Sequence, residues 1–358
     1  MAGAYTQINT GADIVLSTDS VTAAMWSDNN PTLMMMNTSS VQAASAVSQY
    51  YITVYQTAST SPSAEVQFDI AYCDVVGSGS KFLNPLVIGT SPTRINYGQY
   101  RNLVLGDENA TFVFGNQTSS YFYAMPIERA RYKQSILPGT WTLNMSGSTV
   151  TNTQNLVLTD DSKTNSAVTF TDAGRVYNII SGSAGVLPVG GADTARTADG
   201  WTINSGSYGW MLPDINLLLL SGEALEGVAA NGGASLESSR SYDDLGNNPQ
   251  RFITAISMSA GIGNPTKGFT LNSKEDLTSD FYFCRARNSE YNYSANPSYI
   301  KSTTGAVIFD SFIDNPTTYI TTVGLYNQSQ ELLAVAKLSR PLEKDFTKEL
   351  LVRVKLDF

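Results

Sequence analysis

Apolar positions recur at every second residue over LLVRVKLDF (350–358). Leu350, Val352, Val354, Leu356 and Phe358 are apolar, Arg353, Lys355 and Asp357 lie between them, and Leu351 is the exception. A period of two is what a strand with one covered face produces, and a terminal segment frays unless a sheet holds it. The pattern predicts a strand that completes a sheet with 318–338 of its own chain or adds to a neighbour's sheet. EVQFDIAYCDVV (65–76) alternates in the same way, with Val66, Phe68, Ile70 and Tyr72 against Gln67, Asp69 and Ala71. YYITVYQT (50–57) precedes it across a loop of Ser, Pro and Ala, which suits a hairpin. TTYITTVGLYNQSQELLAVAKLSRP (317–341) reads as a second hairpin turning at Asn327–Gln330. Its second arm, ELLAVAKL, is apolar at nearly every position and reads as a strand buried on both faces.

Helical spacing is scarcer. Tyr97, Tyr100, Leu103 and Val104 predict a short helix with Gly106 at its C-terminal cap. NNPQRFITAISMSAG (247–261) predicts another, with Pro249 near the first turn and Phe252, Ile253 and Ile256 on one face. DINLLLLSGEAL (214–225) reads as a buried apolar run followed by a turn and a short helix. Between about 140 and 210 the chain is rich in hydroxyls, and WTLNMSGSTV, NLVLTDD, AVTFTD and RVYNIISGSAG are separated by Gly, Asp and Ser turns. Short strands so spaced indicate a sandwich or barrel-like insertion rather than βαβ units. The expected fold class is mainly β, a multi-domain sandwich or barrel-like arrangement with a few short helices. A chain of 358 residues is long for one core, and the pattern divides it at 1–135, 136–210 and 211–358.

Composition narrows the function classes. Charged residues make up only 15% of the chain, against about a quarter in an ordinary soluble protein, and Ser, Thr, Asn, Gly and Tyr take their place. A net charge of −9 argues against a nucleic-acid backbone as the main ligand. The chain has no histidine, which removes Ser–His and Cys–His nucleophile pairs, the common zinc sites and the usual pH switch. Cys73 and Cys284 lie in the strand-like contexts IAYCDVV and FYFCRAR and read as buried free thiols, compatible with folding in a reducing cytoplasm. No run approaches eighteen apolar residues, and MAGAYTQINTGADIVL has neither the basic start nor the apolar centre of a signal peptide.

The motifs that suggest chemistry are weak. GIGNPTKG (261–268) is not a phosphate loop, because Lys267 precedes a glycine and FTLNS then reads as a strand. Asp160, Asp161, Asp243 and Asp244 are the candidate carboxylates for a glycosidase, but adjacent acids in turns usually bond to backbone. LTDDSKTN has oxygen ligands for a structural cation and lacks the spacing of a calcium-sensor loop. ERARYK (128–133) reads as a solvated or inter-subunit face, and MMM (34–36) as filler for irregular apolar space. EYNYSANPSY (290–299) is more pointed. Tyr291, Tyr293 and Tyr299 in one loop offer large contact area at little entropic cost, or else pack down on their own sheet. No catalytic residue, cofactor or metal ligand is assigned.

Five segments carry a resemblance: EVQFDIAYCDVVGSGS, GQYRNLVLGDE, YFYAMPIERARYKQSILPGTWTLNMSG, FYFCRARNSEYNYSANPSYI and NPTTYITTVGLYNQSQELLAVAKLSRPLEKDFTKELLVRVKLDF. Together they resemble a family of virion structural proteins of large contractile-tailed, myovirus-type phages, especially cyanophages, and the C-terminal segment is the most specific. The resemblance implies a non-enzymatic part of the particle, in the tail or baseplate, assembled in the host cytoplasm. Its partners would be other virion proteins and copies of itself, with no nucleic acid and no membrane. The expected interface residues are Tyr291, Tyr293, Tyr299, Leu350, Val352, Val354, Leu356 and Phe358. Alternative readings are a neck or head–tail connector, a capsid-decorating protein, or a tail-associated enzyme that degrades polysaccharide.

Overall fold

The structure, a computed structural model, describes residues 5–39, 50–76, 92–115, 117–146, 156–165, 168–186, 207–226, 234–240, 245–261, 268–294 and 296–357. The fold is mainly β, with a large curled antiparallel sheet and four short helices among these residues. Contacts group the chain into two compact units, Val21–Glu275 and Met1–Ser20 with Asp276–Phe358. The chain passes between them within two strands, Ile14–Ala24 and Asn272–Ala286.

In the larger unit one sheet runs in the order Thr32–Leu33, Phe269–Thr270, Thr142–Met145, Leu156–Asp160, Gly174–Ser181, Gly209–Leu212, Leu217–Ser221, Tyr121–Pro126, Val66–Asp74, Tyr51–Tyr55 and Asn37–Thr38. Thr169–Thr171 pairs beside Gly174–Ser181. The sequence pattern places breaks near 135 and 210, whereas the pairing runs across both: Leu217–Ser221 bonds Gly209–Leu212 on one side and Tyr121–Pro126 on the other.

The middle of this sheet is covered on both faces, which explains its sequence. Successive side chains of a strand point to opposite faces. Phe122 meets Tyr97 and Phe112 at ring-centre distances of 5.3 and 4.6 Å, whereas Tyr123 stacks on Phe252 at 4.6 Å. Tyr97 belongs to the helix Thr93–Leu105 and Phe252 to the helix Asn248–Gly261, so each helix supplies one face. Leu217–Ser221 is therefore buried at every position, as its unbroken apolar run predicts. Both helices lie where the spacing predicts. Gly106 ends the first in a left-handed conformation (φ 67°), its N–H donating to the Asn102 carbonyl, and a Cβ there would collide with Asp172. Leu103 is exposed rather than inward, because Tyr97, Tyr100 and Val104 already define the buried stripe.

The terminal unit is built differently. Leu350–Asp357 pairs antiparallel with Asn272–Ala286, Leu350 opposite Ala286 and Asp357 opposite Ser279, and Ile14–Ala24 lies on the other side of Asn272–Ala286. The C-terminal strand thus completes a sheet of its own chain, but with 279–286 and not with the expected 318–338. Thr318–Tyr326 and Leu332–Lys344 form the predicted hairpin as a separate two-stranded ribbon. Its second arm is not buried on both faces: Leu332, Leu333 and Val335 are more than half exposed. A run of apolar residues specifies double burial only where something lies over each face, and the described residues of this unit include no helix longer than Ser311–Asp314.

Candidate functional site

The acidic residues considered for catalysis hold turns. Asp160 is buried, and its carboxylate accepts both bonds of the Gly139 N–H (3.0 and 2.8 Å) and one from the Ser162 N–H (3.2 Å). Burial raises its pKa above the ordinary carboxylate value, against the lowering effect of those bonds. Asp161 accepts from the Asn178 backbone and side-chain N–H groups at 2.9 and 3.1 Å. Both side chains are thus directed at protein donors. Among the described residues no group of three or more Cys, Asp or Glu side chains could hold a metal ion. Asp243, Asp244 and the part of GIGNPTKG at 262–267 lie outside the described residues. ERARYK is tied down, with Arg131 paired to Glu65 and Arg129 over the Tyr132 ring. Cys73 and Cys284 are free thiols, the first buried and the second half-buried, and burial pushes both pKa values up, away from thiolate reactivity.

The predicted interface residues all fall in the terminal unit, whose hairpin is closed at its base by a polar clasp. Lys344 closes the second arm and is fully buried. Its ammonium donates to the Asn288 carbonyl (3.0 Å), Asn292 Oδ1 (2.6 Å) and the Asp345 carbonyl (2.8 Å). Three donors meet three neutral acceptors, which is how a buried ammonium is made tolerable without a counter-ion. Opposite Lys344, the Thr318 hydroxyl donates to the Tyr291 carbonyl at 2.6 Å. The hairpin base is therefore bonded to the tyrosine loop from both arms. Asp345 continues the clasp: the Thr347 hydroxyl and amide bond its carboxylate and Lys348 lies 3.1 Å away, which together hold its pKa down at about 2.

The loop tyrosines divide. Tyr299 is buried, with its ring 5.9 Å from Tyr293 and 5.6 Å from Phe312, so it packs on its own chain. Tyr291 and Tyr293 remain exposed. The Tyr291 hydroxyl bonds Thr6 at 2.9 Å, and that of Tyr293 donates to the Gly305 carbonyl at 3.2 Å. In the terminal strand, Val354 is buried and Leu350, Val352 and Leu356 are half-buried on the covered face; Phe358 lies outside the described residues. That strand exposes its edge and its charged face more than those side chains.

The hairpin contributes what the sequence pattern did not single out. Along the second arm, Ala334 and Ala336 turn to the less exposed face while Leu333 and Val335 stand out, 69% and 57% exposed. Tyr319 and Tyr326 stand out on the first arm. Gly324 lets Tyr326 lie along the ribbon, since a Cβ there would come within 2.9 Å of that ring and 3.3 Å of Leu332. Tyr5 closes the patch, edge-on to Tyr326 at 5.1 Å. The usable signal was the alternation of small and large apolar residues in LLAVA. On this arm small residues take the less exposed face, and the large ones are presented outward. Compared with protein-family models, curated proteins and solved structures, the chain matches none.

Proposed function

We propose that this chain is a structural component of a tailed-phage particle, in the tail or baseplate, and that it acts by docking on neighbouring proteins rather than by turnover. The observation that carries the reading is the outward face of the 318–344 hairpin. Tyr319, Tyr326, Leu332, Leu333 and Val335 are exposed together with Tyr5 on a ribbon clasped firmly at one end. Tyrosine and large aliphatic side chains in the open, with few charges among them, are the composition of an interface core. A two-stranded ribbon is also marginal in water on its own, so a covering neighbour would stabilise it. The resemblance of NPTTYITTVGLYNQSQELLAVAKLSRPLEKDFTKELLVRVKLDF to contractile-tailed phage virion proteins supplies the setting. The side-chain-to-backbone bonds of Asp160 and Asp161 favour this reading over the polysaccharide-degrading one.

Imaging purified particles of the encoding phage at side-chain resolution tests it. Density for the chain in tail or baseplate, with the hairpin face against another protein, is the expected result. Density at the neck or capsid would remove the tail assignment and leave the structural one. Absence of the chain from purified particles would overturn both.

A further inference from the structure

Among the described residues four strand edges end sheets in the terminal unit, and they are not equally guarded. Leu350–Asp357 carries Arg353, Lys355 and Asp357 at alternate positions, and Ile14–Ala24 carries Asp19. Leu332–Lys344 carries Lys337, Arg340, Glu343 and Pro341, and both register breaks of the ribbon insert residues into it: Leu333 at one, and Leu338 to Pro341 opposite Thr321 at the other. Charge, proline and bulges are the devices that keep an edge from pairing. Thr318–Tyr326, TYITTVGLY, has no charge, no proline and β-forming residues at nearly every position.

Building on the docking reading above, we infer that this edge pairs antiparallel with the same strand of a second copy of the chain. The face pattern of the strand selects both partner and register. Thr318, Ile320, Val323 and Leu325 turn to the less exposed face, whereas Tyr319, Thr321, Thr322, Gly324 and Tyr326 are exposed. The alternation reverses phase at the break between Ile320 and Thr322, so the two halves of the strand mirror each other. A two-fold axis between Thr321 and Thr322 sets Ile320 against Val323, Thr318 against Leu325, Thr321 against Thr322 and Tyr319 against Gly324. Each residue meets one from its own face, a β-branched pair forms on the covered side, and on the outer side Tyr319 comes beside the Tyr326 ring that lies over Gly324. An isologous contact of this kind needs a strand that does not repel itself. An uncharged one meets that condition, and the result is a four-stranded sheet in place of two ribbons.

The test is sedimentation of the full chain with charge-swapped edges. Thr321 and Thr322 are exposed, and Thr322 lies opposite Lys337 in its own ribbon, so Thr321→Glu/Thr322→Glu meets an opposite charge within the chain and Thr321→Lys/Thr322→Lys a like one; amide exchange in 318–344 checks that each ribbon still forms. In the inferred register each variant opposes like charges at both central pairs. The wild-type chain is expected to sediment as a dimer, each double variant as a monomer, and an equimolar mixture of the two variants as a heterodimer. A monomeric wild type, double variants that still dimerise, or a mixture that stays monomeric would each overturn this pairing. A monomeric wild type still located in purified particles would leave the structural reading standing. A dimer absent from particles would do the opposite.

Discussion

The larger unit and the terminal unit bury apolar strands by different means. In the larger unit Phe122 and Tyr123 leave one strand in opposite directions and each meets a helix of the same chain. In the terminal unit Leu333 and Val335 are as apolar as that core, yet they face solvent. The local sequences ELLAVAKL and INLLLLS look alike. What separates them is whether the chain supplies a second layer. Burial is thus decided by long-range cover and not by the strand itself, and a strand without cover is a place where another molecule can supply it.

The comparison predicts very unequal responses to truncation. Phe122→Ala, emptying the space between Tyr97 and Phe112, should destabilise the larger unit by about 3–5 kcal/mol in denaturant titration. A loss under 1 kcal/mol would show that the double-sided core is looser than its ring contacts imply. Next comes an ion pair that reaches into it. Asp74 is fully buried, bonded by Arg240 at 3.0 and 2.8 Å and by the Tyr72 hydroxyl at 2.9 Å. Arg240→Ala leaves that carboxylate without its cation and should lower stability by about 3 kcal/mol, the low end for a broken buried pair because the arginine is partly exposed.

Much of this was legible from local pattern. Period two located 66–74 and 350–357, β-forming composition bounded by turns located 51–55 and the hairpin arms, and period 3.6 with Pro249 and Gly106 located two helices. Pairing partners were not legible, since any alternating strand satisfies the period of another. That is why 350–357 was matched to the nearby hairpin and not to 279–286. The proposed docking face was legible only in part. Tyr291 and Tyr293 stood out by composition, whereas Tyr319, Tyr326, Leu333 and Val335 sit in a segment whose apolarity is equally consistent with a core. Nor could composition show that Lys344, in a run of charged residues, is the buried clasp of the hairpin.

Lys344→Met tests whether the terminal unit has a local anchor as firm as the other unit's core. The substitution keeps the bulk and strands three oxygens, on Asn288, Asn292 and Asp345. It should weaken the unit by about 1–3 kcal/mol, with faster amide exchange concentrated in 288–293 and at the hairpin base. Unchanged exchange there would mean that the ribbon is held by something else. Acid probes the same region more gently. The Thr347 hydroxyl, first among its partners, holds the Asp345 pKa at about 2, below the ordinary 3.8. A lowered carboxylate pKa stabilises the fold above the unfolded value, and that contribution disappears as pH falls through the folded one. Burial instead raises Asp69 and Asp160 in the larger unit, so for these acidification relieves a penalty. Between pH 3.8 and about 2, exchange at 345–348 should therefore quicken before exchange around 139 and 160 does. The reverse order would contradict the contrast.

The smallest effect on stability is the one that separates a docking face from an exposed accident of sequence. Val335→Ser trims a side chain that is 57% exposed, so the isolated chain should change by less than about 0.5 kcal/mol. If the face is a docking surface, the same substitution weakens association measurably, because a truncated side chain at an interface centre loses its burial only in the complex. A variant with unaltered folding and weakened assembly would mean that the apolar content of this strand serves a partner. One with unaltered folding and unaltered assembly would remove Val335 from the interface and shift the burden to Tyr319 and Tyr326. A variant that folds poorly would show that the ribbon already uses this face within its own chain.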